Sequence, residues 1–99
     1  MANRNSTEIS FEILGRVGNL SSYQNGWSKE VNIVAWNGGQ PKIDVRDWDP
    51  NHEHMTKGIT LFEDEAKALA QLLNERLITK GETIDSIVKP ATTPNYAGA

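Results

Sequence analysis

The stretch Val31-Asn32-Ile33-Val34-Ala35-Trp36-Asn37-Gly38-Gly39-Gln40-Pro41-Lys42-Ile43-Asp44-Val45-Arg46-Asp47-Trp48 decides the fold. Val31, Ile33 and Ala35 alternate with Asn32, Val34 and Trp36. Past the turn Asn37 to Pro41, Ile43 and Val45 alternate with Lys42, Asp44, Arg46 and Trp48. A period of two is that of a strand that turns one face to a core. Two such runs joined by a Gly-rich turn read as an antiparallel hairpin. If the turn is symmetric about Gly39, Trp36 lies across from Lys42 and Asn32 across from Arg46.

Upstream, Ile9, Phe11 and Ile13 alternate with Ser10 and Glu12, which adds another strand. Gly15 and Gly18 interrupt it and predict a bulge or sharp bend. Asn25-Gly26 is the strongest hairpin signal in the chain, since both residues tolerate positive φ. Downstream, Asp49-Pro50-Asn51 opens a loop, and Lys57 to Leu61 is a short fourth strand entered through Gly58. From Glu63 to Thr79, Ala66, Leu69, Ala70, Leu73 and Leu77 fall on one helical stripe. Glu63, Asp64 and Glu65 occupy its first turn, where carboxylates suit the positive end of the helix dipole, and Gly81 stops it as a C-cap glycine. The piece from Ile84 to Val88 is apolar and unassigned. The fold class is α+β: a four-stranded antiparallel sheet followed by one helix.

The 99 residues leave room for one domain. Residues 1–8 read as a flexible arm, residues 9–80 as the domain, and 81–99 as an extension, disordered from about residue 89 by its prolines and lack of core-forming residues. A core drawn from so short a segment is small and favours oligomerisation. No run of 18 apolar residues is present, so no membrane partner is expected, and no secretory signal is apparent. The absence of cysteine suits a reducing cytoplasm and makes the sequon-like Asn5-Ser6-Thr7 and Asn19-Leu20-Ser21 incidental. A net charge of −3 argues against holding duplex DNA by phosphate neutralisation alone. Three tryptophans in a polar chain this short need a purpose.

One helix covers one face of a sheet. With Val31, Ile33, Ala35, Ile43 and Val45 toward the helix, the other face carries Asn32, Val34, Trp36, Lys42, Asp44, Arg46 and Trp48. Indoles interleaved with cations on an open face match what a single-stranded nucleic acid needs: ring faces for bases, Lys and Arg for phosphates. The same face would equally serve a protein partner, because exposed aromatics mark both.

The order of elements, and above all Lys42-Ile43-Asp44-Val45-Arg46-Asp47-Trp48, Asp49-Pro50 and Lys57-Gly58-Ile59-Thr60-Leu61 before an acidic helix start, resembles the positive cofactor 4 family of transcriptional coactivators. The likeness is greatest to its bacterial YdbC-like branch. It implies a strongly curved sheet backed by a helix, a homodimer, and single-stranded DNA held on the concave surfaces, with RNA a further ligand and the transcription machinery a partner. On this resemblance Arg46 and Trp48 match the Arg and aromatic of the third strand, Lys57 the Lys before Gly-Ile, and Trp36 an aromatic near the hairpin tip. The nucleic-acid-binding set expected from pattern and resemblance together is Lys29, Asn32, Trp36, Lys42, Arg46, Trp48 and Lys57, with Arg16, Tyr23 and Trp27 as additions. Three departures stand out. Asn51-His52-Glu53-His54-Met55-Thr56 replaces a lysine-rich stretch, Phe62 stands at the helix start in place of a capping polar residue, and the Leu14 to Lys29 hairpin is long.

Other chemistry finds little support. Counted from Asp47, a calcium loop would need Gly where His52 stands and Glu where Gly58 stands. His52 and His54 without a cysteine make a poor zinc site. No P-loop, Gly-x-Gly-x-x-Gly or Gly-x-Ser-x-Gly motif occurs. The expectation is a protein that is no enzyme and needs no metal or cofactor. Tyr23 and Trp27 either extend the stacking surface or pair across the Asn25-Gly26 turn.

Overall fold

The computed structural model describes residues 9–88; the expected N-terminal arm (1–8) and C-terminal tail (89–99) lie outside them. Four strands, β1 (Phe11–Ser22), β2 (Ser28–Trp36), β3 (Pro41–Trp48) and β4 (Ile59–Leu61), form one antiparallel sheet in sequence order. They are followed by α1 (Glu63–Leu73), a π-helical turn (Asn74–Thr79) and α2 (Ile84–Val88). The chain separates into a sheet unit ending at Ala66 and a helical unit starting at Lys67. Sheet and helix occur in the predicted order.

The β2–β3 register differs from the expected one by two residues: Val34 faces Lys42, Asn32 faces Asp44 and Glu30 faces Arg46. The register is centred on Gly38 rather than Gly39. Asn37 and Gly38 both have positive φ, 51° and 74°, and Gly39 N–H donates to the Trp36 carbonyl at 2.8 Å. Positive φ at both central residues makes a primed turn, the kind whose twist matches a hairpin, with one extra residue on the β3 side before Pro41. A shift of two preserves the face of every side chain. At Asn25-Gly26 only Gly26 has positive φ, 92°, and Tyr23 pairs with Trp27 across a three-residue loop.

β1 carries the bend that Gly15 and Gly18 foretold. Its partners run Ile13 to Val34, Arg16 to Asn32 and Asn19 to Glu30, so β1 advances three residues for every two of β2. Leu14, Val17 and Leu20 are left unpaired at three successive bulges, 49%, 63% and 62% exposed. Each bulge adds twist and bend, and three in one strand curl the sheet. The result is visible across it. Glu30 to Trp36 would span about 20 Å on a flat strand, yet the guanidinium of Arg46, opposite Glu30, lies 4.6 Å from the Trp36 ring. Phe11, paired with Trp36, also reaches Trp48 at 5.1 Å, although Trp48 pairs with Ser28.

The curl reverses the expected burial. The face bearing Asn32, Val34, Asp44 and Trp48 is the interior, with all four at 1% exposure or less and Glu30 at 3%. Val31, Ile33, Ile43 and Val45 on the other face are only half-buried. Within the helical segment no residue of α1 is buried; Leu69, Leu73 and Leu77 of the predicted stripe are exposed, as are Leu72 and Ile78 beside it.

The helix start dispenses with a polar cap. Phe62 takes the cap position, and the Glu65 carboxylate accepts its N–H at 2.8 Å, which is half of a capping box. Gly81, at φ 67°, ends the helix as expected, after a last turn widened to π geometry. The unassigned piece is a short helix. Ser86 N–H donates to the Thr83 hydroxyl at 3.2 Å and Thr83 N–H to the Ser86 hydroxyl at 2.8 Å, a reciprocal cap that Thr-x-x-Ser could have signalled.

Candidate nucleic-acid interface

Trp36 ends β2 at the rim of the concave face. Phe11 lies 5.9 Å from its ring, tilted 51°, and the Arg46 guanidinium lies against it. Ile9, Trp36, Asn37, Arg46 and Thr60 line an open depression of about 310 Å³. That is the low end of ligand-site volumes. The Trp36 Nε1 is buried with no hydrogen-bond partner among the described residues. Asn37 is held by Ser10, whose N–H donates to Oδ1 at 2.9 Å, which ties the hairpin tip to the start of β1.

Arg46 is deeply engaged. Nε and Nη2 donate to the two carboxylate oxygens of Asp44 at 2.6 and 2.8 Å, and Thr60 Oγ1 donates to the same carboxylate at 2.9 Å. Asp44 is fully buried, so the paired, hydrogen-bonded arrangement is what allows a charge there. Gly58 makes the approach of β4 feasible. A Cβ on it would stand 2.3 Å from the Val45 carbonyl oxygen and 2.4 Å from Arg46 Cβ.

Trp48 and Asn32, expected on an open platform, belong to the interior. Trp48 packs on Phe11 and on the His52 ring, 5.8 Å away. Asn32 donates to Glu30 at 3.1 Å. Glu30 is the centre of a network that the sequence reading passed over. Ser28 Oγ reaches it at 2.5 Å, His52 Nε2 stands 3.0 Å from both its oxygens, and Arg16 is 3.6 Å away. Burial pushes the Glu30 carboxyl up, but the hydrogen bonds from Ser28, Asn32 and His52 outweigh it and hold it below its ordinary value. Arg16 also meets the His52 ring directly. Its guanidinium is thus tied to the loop after β3.

The remaining candidates are distributed differently. Lys29 forms an ion pair with Asp47 at 3.2 Å, which raises its pKa, and Tyr23 Oη donates to the same carboxylate at 3.3 Å. Among the described residues no ring contact joins Tyr23 to Trp27. Lys42 lies over the Phe62 ring at 4.9 Å. The Lys57 ammonium is exposed and meets no acid among the described residues. Asp49 accepts the N–H groups of His54 and Glu53 at 3.0 and 2.8 Å, with its carboxyl lowered chiefly by the first, and so folds the loop on itself. No group of three or more potential ligands that could hold a metal occurs among the described residues.

This geometry, a curled sheet with an aromatic rim and a helix after β4, coincides with a family match. The family model for Transcriptional Coactivator p15 (PC4) covers residues 23–72, from the β1–β2 hairpin through most of α1. An uncharacterised protein of Treponema pallidum (strain Nichols) is 42% identical over 67 residues, 68% of this chain and 79% of that protein. The chain belongs to the PC4 family. That family is nucleic-acid-binding and non-enzymatic.

Proposed function

We propose that this PC4-family chain binds single-stranded DNA with little sequence preference, stacking bases on Trp36 and meeting phosphates with Lys42 and Lys57, in transcription regulation or DNA maintenance. The observation that carries the reading is the Trp36 indole, lying at the rim of a depression of about 310 Å³. Every base offers a π-face, so such a site accepts any sequence but only unpaired strands. Lys57 carries the least encumbered cation of the set, and Lys42 rests only on an aromatic ring. Lys29 and Arg16 must first loosen their contacts with Asp47 and Glu30.

The chain acts as a homodimer in this proposal. Among the described residues the buried hydrophobic ones are few, Val34, Ala35 and Trp48, while Leu72, Ile78 and Ile84 are 67%, 74% and 75% exposed. A second copy is the natural cover for apolar surface of that extent. Fluorescence anisotropy of labelled oligo-dT, competed with unlabelled single strand and with duplex, tests the function. Displacement by single strands alone is expected. Equal displacement by duplex, or no binding of oligo-dT, overturns it and leaves the apolar and aromatic surfaces to a protein partner.

A further inference from the structure

Arg46 has the residue type of a phosphate contact and the surroundings of a strut. Its Nε has one N–H and each Nη has two. Nε is bonded to Asp44 Oδ1 at 2.6 Å, and Nη2 to Asp44 Oδ2 at 2.8 Å and Thr60 Oγ1 at 3.4 Å. Nη1 reaches the Thr56 carbonyl at 3.3 Å and the Met55 sulfur at 3.8 Å. The donors are taken, the charge is matched by a buried carboxylate, and the side chain is 12% exposed. The guanidinium carbon also stands over the Trp36 ring, 4.6 Å from its centroid. Among the described residues the indole has no other anchor of that strength, since its N–H finds no acceptor there and Phe11 touches it at a tilt.

Resting on the single-strand reading above, we infer that Arg46 is a positioning residue: with Asp44 and Thr60 it fixes the Trp36 ring in the orientation that receives a base, and it does not contact phosphate. The buried carboxylate fixes the guanidinium, and the guanidinium holds the ring. A lysine restores the charge but has no plane to offer.

The test measures oligo-dT affinity against salt for the wild-type chain, Arg46→Lys, Arg46→Gln and Lys57→Ala, each also in a Trp36→Ala background. Affinity is expected to fall about 5- to 150-fold in both Arg46 variants, the worth of one stacked base. The slope of log K on log salt should stay at the wild-type value in both, whereas Lys57→Ala lowers it by about 0.7. In the Trp36→Ala background the Arg46 substitutions should do nothing further, because the ring they position is gone. Rescue by Arg46→Lys, a slope reduced by Arg46→Gln, or an undiminished effect without Trp36 overturns the proposal and leaves the function standing. A wild-type chain that ignores oligo-dT overturns the function as well. Arg46→Gln strands Asp44, so one measurement needs no variant: the Arg46 Nε–H should exchange slowly with and without oligo-dT. Loss of that protection on binding would show the Asp44 pair opening to a phosphate, against the proposal.

Discussion

Trp36 and Trp48 occupy the same face of the sheet and do different work. Trp48 is wholly enclosed between Phe11 and His52, so Trp48→Ala should act on folding, with a loss of about 3–5 kcal/mol in denaturant titration. Trp36 is only half-buried, so Trp36→Ala should cost less stability than Trp48→Ala while weakening oligo-dT by about 1–3 kcal/mol in anisotropy titrations. Glu30 provides a second contrast. Its carboxyl is held below the ordinary 4.5, so it binds protons less readily folded than unfolded. Its contribution is therefore complete above that value and lost as pH falls below it toward the depressed folded pKa. Thermal denaturation at a series of pH values should show this acid loss, and Glu30→Gln should flatten it. Parity in the sequence found the face these residues share. It could not show that the face closes, because burial of Glu30 and Asp44 relies on contacts with Ser28, His52, Arg46 and Thr60 that periodicity does not reveal.

At the scale of elements, curvature is the property that matters, and β1 sets it. Ile13-Leu14-Gly15, Arg16-Val17-Gly18 and Asn19-Leu20-Ser21 repeat with a period of three, one unpaired apolar residue in each. A reading tuned to periods of 2 and 3.6 registered only the two glycines. Both hairpins turn where Asn-Gly predicts them, but the second is centred on Gly38 rather than Gly39. Asn-Gly occurs twice and the two loops are equally long, with five residues between the paired Ser22 and Ser28 and five between the paired Ala35 and Pro41; they differ in that both residues take positive φ only at 37–38. The short strand β4 depends on Gly58. In Gly58→Ala the new methyl meets backbone at 2.3 Å, which no rotamer relieves. β4 must retreat from β3, loosening the bonds of Thr60 to Asp44 and of Arg46 to Thr56. A loss of about 1–3 kcal/mol is expected in denaturant unfolding, together with weaker oligo-dT binding.

At the scale of the molecule, the proposed dimer accounts for apolar surface that one chain leaves open. Ile78 and Leu72 on the helical unit are 74% and 67% exposed. Sedimentation equilibrium should return twice the 11.0 kDa chain mass at micromolar concentration, and Leu72→Glu with Ile78→Glu should return the single chain. The helix stripe was plain in the sequence because its period is regular. What covers it was not, since a stripe looks the same whether it meets its own sheet or another copy. The proposed function rests on a different surface, the Trp36 rim, and one titration reaches it directly. Tryptophan emission is followed as oligo-dT is added to the wild-type chain and to Trp36→Phe, in which Trp27 and Trp48 remain. Saturable quenching in the wild type that disappears in Trp36→Phe is the predicted result; no quenching in the wild type, or quenching that persists undiminished in Trp36→Phe, would contradict it.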